Sequence, residues 1–144
     1  MSETQNFKNH AKIVPAFHYF VLPVLVFNVV WTIERCVRFF SFDSVATALV
    51  ALALLVGALY GRLFALTVQD RVIRLEMQLR LQQVLPAELR GRIPEFTVSQ
   101  LVALRFAGDA ELPGLARKVL DEKLTDRKVI KKMIQKWEPD YLRA

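Results

Sequence analysis

Ile13 to Ile33 is a run of 21 residues without a formal charge, counting His18 as neutral, and Ser44 to Gly61 is a second, of 18. A bilayer core about 30 Å thick takes roughly 20 apolar residues of helix, so each run is long enough to cross it. A soluble chain of 144 residues has too little material to cover two helices that are apolar on every side. The first run also exceeds the apolar stretch of a secretory signal, roughly 7–15 residues. It leads into Glu34-Arg35-Cys36-Val37-Arg38, not into a small-x-small cleavage site. We read it as a retained anchor.

The connection from Val37 to Asp43 is short, which predicts an antiparallel hairpin with both termini on one side. Near the membrane on that side stand Lys8, Lys12, Arg62, Arg71 and Arg74, against Arg35 and Arg38 at the loop. The side richer in Lys and Arg is the cytoplasmic one, so both termini are placed there. The expected division is an interfacial segment at 1–12, a first span at 13–40, an external loop at 41–43 and a second span at 44–61. A cytoplasmic stalk at 62–85 and a small basic helical domain at 86–144 complete it. The fold class is thus an all-α membrane protein.

Within the second span Ala53, Gly57 and Gly61 recur at intervals of four, a small-residue ridge that lets another backbone approach closely. That backbone is either the first helix of the same chain or a helix of another one. In the first span Pro23 is expected to bend the helix, and Asn28 to find a hydrogen-bond partner on the second. Glu34 and Arg38 stand four apart in the favourable order for an ion pair. Neither span holds a charged group at mid-bilayer, which argues against an ion or proton path through one copy.

Beyond Gly61 there is no Gly or Pro until Pro86, and strong helix formers dominate, so the second helix is expected to run from about Val45 to Leu85. Val68, Val72, Leu75 and Leu79 have 4-3-4 spacing, with an adjacent stripe at Ile73, Met77 and Leu81. Asp70–Arg74 and Glu76–Arg80 are acid-before-base pairs four apart. Outside lipid an apolar stripe must be covered. Folding back of the C-terminal region is the favoured answer, and pairing with a second copy over about two heptads is the other.

In the C-terminal region Pro86 stops the helix, and Gly91 and Pro94 make the next stretch irregular. Thr97-Val98-Ser99-Gln100 has the form of a capping box opening a short helix that ends near Gly108. Pro113 suits the first turn of another. Thr125 or Asp126 caps a last helix expected to reach Trp137, with Val129, Ile130, Met133, Ile134 and Trp137 on its apolar face. Lys128, Lys131, Lys132 and Lys136 lie mostly on the other face. From Arg117 to Lys136 there are eight basic and three acidic residues. Such a helix either attracts anionic lipid headgroups or an acidic partner, or is an ordinary packed helix with a solvated face. Nucleic acid is not an expected partner, because no binding motif or aromatic platform accompanies the lysines.

Reactive chemistry is sparse. One cysteine, Cys36, excludes a disulfide framework within the chain and a multi-cysteine metal site. His10 and His18, the only histidines, are eight apart, too far for the i, i+4 pair that binds a metal from one helical face. There is no Gly-rich phosphate loop, H-E-x-x-H or G-x-S-x-G. Asp109, Glu111, Asp121, Glu122 and Asp140 look like capping and solubilising groups. We expect no catalytic residues, no cofactor, no metal and no small-molecule substrate. At 53% hydrophobic residues the chain is also far from disorder.

Three stretches taken together carry a resemblance. Gln5-Asn6-Phe7-Lys8-Asn9-His10 and Val14-Pro15-Ala16-Phe17-His18 open the chain. Leu104-Arg105-Phe106-Ala107 and Glu111-Leu112-Pro113 lie in its tail. Ile130-Lys131-Lys132 and Trp137-Glu138-Pro139-Asp140-Tyr141-Leu142-Arg143 close it. Over nearly its whole length the chain resembles a family of small bacterial two-span integral membrane proteins of unknown function. The resemblance implies an inner-membrane location and no activity. It also draws attention to the termini, where Asn6, Asn9, His10 and His18 on one side and Trp137 and Tyr141 on the other suit interface depth. With Lys128, Lys131, Lys132 and Lys136 they make a candidate lipid or partner surface. The candidate helix-packing or oligomer surface is Ala53, Gly57, Gly61, Val68, Val72, Leu75 and Leu79. The expected function is non-catalytic assembly, as a homo-oligomer scaffold or an accessory subunit of a membrane complex. Membrane organisation through anionic lipid comes second, and a membrane enzyme using His10, His18 and Asn9 a distant third.

Overall fold

In a computed structural model, which describes residues 13–140, the described chain is helical and holds no strand. Two helices are long and apolar enough to cross a membrane. The first begins as a π-helical segment, Ala16–Val21, and continues as α1, Leu22–Arg38. The second, α2, runs unbroken over 43 residues from Phe42 to Val84. Four short helices come after it: α3 (Ala87–Arg90), α4 (Val98–Leu104), α5 (Leu112–Asp121) and α6 (Arg127–Lys132). A 3₁₀ turn at Ile93–Glu95 occupies part of the stretch that Gly91 and Pro94 led us to expect as irregular. The chain divides into two compact units, residues 13–66 and the residues from Thr67 onward.

In the first unit Pro23 stands in the first turn of α1, where the π turns give way to α-helix. A proline lacks the N–H that an interior helical position would donate, and here that loss falls at the change of helix type, not in mid-helix. The buried polar group of this unit is Thr32, not Asn28. Its hydroxyl donates back to the Asn28 carbonyl at 2.8 Å and the Val29 carbonyl at 3.1 Å. Among the described residues the Asn28 amide makes no bond across to α2, contrary to expectation. Leu25, Asn28, Thr32 and Cys36 share the less exposed side of α1, and Ala48, Ala51, Leu55 and Ala58 that of α2. Glu34 and Arg38 form their ion pair at 2.7 Å.

The second unit has one apolar core, and α4 is at its centre. Gln100 to Leu104 are all buried, and α4 packs against both α5 and α6. A seven-residue helix buried all round has to satisfy its own ends. The Thr97 hydroxyl accepts from Gln100 N at 3.2 Å and Gln100 Oε1 accepts from Thr97 N at 2.8 Å, the predicted capping box. Gln100 Nε2 donates to the Leu124 carbonyl at 2.8 Å, so the buried amide is used at both ends. Pro113 sits in the first turn of α5 as expected. That helix ends with Lys123 at φ 49°, flanked by Leu124 N to Val119 O and Lys123 N to Leu120 O bonds. This is a Schellman end with lysine where glycine is usual. Asp126 caps α6, accepting from Lys128 N at 2.7 Å.

α6 stops at Lys132, well short of the expected Trp137, and Val129 is exposed on the face that was expected to be apolar. The cause is a competing set of partners for the backbone after it. Glu111 accepts from Gln135 N at 3.1 Å and from Lys136 N at 3.0 Å. Gly108 N donates to Lys136 O at 3.0 Å, and Glu138 N to Phe106 O at 2.7 Å. The closing segment therefore lies antiparallel beside residues 106–108 instead of extending the helix.

Candidate assembly surface

The part of α2 from Thr67 onward carries two apolar stripes with different surroundings. Ile73, Met77 and Leu81 are 4%, 3% and 0% exposed, and they join Leu85 in a core cluster with Leu89, Phe96, Leu101, Leu104, Val119 and Ile130. Val68, Val72, Leu75 and Leu79 are 59%, 47%, 62% and 62% exposed. At 3.6 residues per turn the second stripe is centred roughly 180° around the helix from Met77. The fold-back expected from the sequence thus covers the 73-77-81 stripe and leaves the 4-3-4 stripe bare.

The charges on the same stretch are redistributed too. Asp70 pairs with Arg127 at 3.3 Å and not with Arg74. Arg80 leaves Glu76 and turns inward. Its guanidinium donates to the carbonyls of Arg105 at 3.1 Å and Ala107 at 2.8 Å, and pairs with Asp109 at 2.7 Å and Glu138 at 2.8 Å. Among the described residues Arg71, Arg74 and Glu76 form no ion pair. All three are exposed, and Arg71 and Glu76 flank the bare stripe.

Arg80 belongs to a clasp built almost wholly from the stretches that carry the family resemblance. Arg105 pairs with Asp140 at 3.0 Å. Phe106 stacks on Trp137 with ring centroids 4.7 Å apart, and the Arg105 guanidinium and Lys131 ammonium lie 4.4 and 5.0 Å from its centroid. Trp137 and Lys131 are accordingly half-buried. Lys128, Lys132 and Lys136 remain exposed, while Asn6, Asn9, His10 and Tyr141 lie outside the described residues. His18 is engaged locally, its Nδ1 lying 3.2 Å from Val14 N and 2.9 Å from Val14 O. Apart from its own helical turns, nothing comes within 4 Å of a Cβ built at Gly57 or Gly61, so α1 does not pack on these two glycines of the ridge.

Three of the clefts in the described chain bear on the search for a site. One of about 360 Å³ is lined by Thr32, Arg35, Phe39, Ser41, Asp43, Ser44 and Thr47. A second of about 500 Å³ lies between Glu111, Lys118 and Lys132, and a third of about 160 Å³ between Glu76, Met77, Arg80, Arg105 and Asp140. None of the three gathers a nucleophile with a base. Among the described residues no three His, Cys, Asp or Glu side chains are grouped to hold a metal. Asp121, and after it Glu95, hold the Arg92 guanidinium above its ordinary value through hydrogen bonds, which makes Arg92 a fixed cation at any working pH. What the arrangement offers is surface: a bare apolar stripe with charges beside it on a helix anchored in its own small domain.

No curated protein matches the chain, and no solved structure does. The model of one family covers all of it, residues 1–144. The chain belongs to that family, the family of unknown function DUF6526.

Proposed function

We propose that this chain is a non-catalytic integral membrane protein that acts by assembly, as a scaffold of several copies or as an accessory subunit of a membrane complex. The observation that carries the reading is the bare stripe Val68–Val72–Leu75–Leu79, on the side of α2 opposite the one its own C-terminal helices cover. An apolar stripe of this kind in contact with water calls for a partner. Fully burying one such side chain stabilises by roughly 1.5–3 kcal/mol, so four that are about half-exposed offer on the order of 3–6 kcal/mol per copy.

In this reading α1 and α2 cross the bacterial cytoplasmic membrane as a hairpin, packed through the less exposed side of each. Both termini are cytoplasmic by the excess of Lys and Arg beside them. The test is isolation from the native membrane in nanodiscs, with particle mass and composition read together. More than one copy, or a stoichiometric partner, is the expected result. A lone single copy at native abundance rejects assembly.

A second reading, attraction of anionic lipid, has the exposed Lys128, Lys132 and Lys136 in its favour. It predicts that hydrogen exchange at residues 127–137 of the reconstituted chain slows when anionic lipid replaces neutral lipid, and that salt removes the difference. Equal exchange in the two lipids rejects it.

A further inference from the structure

We propose that the partner of the bare stripe is the same stripe of a second copy, in a parallel two-stranded contact registered by Arg71 of one copy against Glu76 of the other. The proposal rests on the assembly reading and names its partner. Spacing of 4-3-4 assigns Val72 and Leu79 to heptad position a, and Val68 and Leu75 to position d. Positions g and e beside this seam are then Arg71 and Gln78, and Gln69, Glu76 and Gln83.

In a parallel pair a g residue faces the e residue five positions on in the partner, and the only charged residues in these places, Arg71 and Glu76, are five apart. Two-fold symmetry makes the pair twice. A slip of one heptad sets Arg71 against Gln69 or Gln83 and loses both ion pairs, so the charges select one register. Copies inserted into one membrane with one topology run parallel, as the pairing requires. Within the chain the fold leaves these two groups available: Asp70 and Arg80 are taken by Arg127 and by the clasp, whereas Arg71 and Glu76 are exposed and form no ion pair among the described residues.

The test uses the full chain in lipid nanodiscs with Cys36→Ser, to which Leu75→Cys is added for oxidative cross-linking by a copper–phenanthroline oxidant. A covalent dimer through position 75 is expected, and none through Val129→Cys, an exposed position on α6. In the cysteine-free background Arg71→Glu, which turns two attractions into two repulsions at exposed-pair strength, is expected to weaken dimerisation roughly tenfold. Glu76→Arg does the same, and combining the two restores it. Hydrogen exchange over residues 98–120 confirms that each variant keeps its fold. Cross-linking at 129 as strong as at 75, or a double variant no better than the singles, overturns the proposal. A stoichiometric foreign partner without the 75–75 cross-link overturns it and leaves the assembly reading standing. Single-copy particles throughout reject both.

Discussion

Leu79 and Leu81 are two positions apart on one helix and have the same chemistry, yet Ala substitution is expected to separate them by orders of magnitude. Leu81 is fully buried in the cluster formed by α2 with α4, α5 and α6, whereas Leu79 is 62% exposed. A buried Leu→Ala change costs about 2–5 kcal/mol, made up of lost transfer energy and the cavity left behind. Helices as short as α4 and α6, each fixed by a side-chain cap at its N-terminus, have little freedom to collapse into that cavity, so we take about 3 kcal/mol. At about 1.4 kcal/mol per factor of ten, this is roughly a hundredfold increase in the open population of the unit. For Leu79→Ala the expected change is within about 0.5 kcal/mol, or roughly twofold. Hydrogen exchange of the full chain reads the open population when reclosing outpaces exchange. The measurement is made at one copy per nanodisc, so that dimerisation does not add to apparent stability. Protection in Val98–Leu104 should fall about a hundredfold in Leu81→Ala and stay nearly constant in Leu79→Ala. Comparable losses in the two variants, or a neutral Leu81→Ala, would refute the two-sided description of α2.

Arg80→Ala removes two hydrogen bonds to the carbonyls of Arg105 and Ala107 and the ion pairs to Asp109 and Glu138. With two charged-donor bonds near 1.5–3 kcal/mol each and little added by ion pairs to exposed acids, about 3–6 kcal/mol is the expected loss. Faster proteolysis within residues 134–140 is the readout, and an unchanged rate contradicts the clasp. Lys123→Gly relieves a left-handed backbone at the end of α5 and should stabilise by about 0.5–1 kcal/mol in thermal unfolding, whereas Lys123→Ala should not. A destabilising glycine contradicts the Schellman end.

The features legible in the sequence are those whose causes lie within a few residues. The Thr97–Gln100 box and the Asp126 cap rest on local hydrogen bonds, and Pro113 suits the first turn of α5 through its fixed φ and missing N–H. The continuous α2 comes from helix formers uninterrupted by Pro or Gly after Gly61. What the sequence left open was decided at long range. The 68-72-75-79 and 73-77-81 stripes have the same chemistry and both have helical spacing, so only the position of α4 determines which is covered. Four-residue spacing pointed Glu76 to Arg80 and Asp70 to Arg74, but carbonyls some 25 residues away compete for Arg80. α6 ended early for a similar reason, because Glu111, a residue beyond any local pattern, takes the Gln135 and Lys136 N–H groups. Of the family-resembling stretches, residues 104–107, 130–132 and 137–140, far apart in the sequence, proved to be parts of one clasp. Trp137, expected at interface depth, is half-buried with its ring stacked on Phe106.

The central claim, that the bare side of α2 meets a second copy, is tested most directly by a distance. Full chain carrying Cys36→Ser and Leu75→Cys is spin-labelled and reconstituted at two or more copies per nanodisc, and the dipolar coupling between labels is measured. Helices packed through this stripe have axes about 8–10 Å apart, so strong coupling at position 75 is predicted, reduced by Arg71→Glu and regained with Glu76→Arg added. Labels at position 75 that show no coupling, in particles whose mass establishes that two copies are present, would contradict the account.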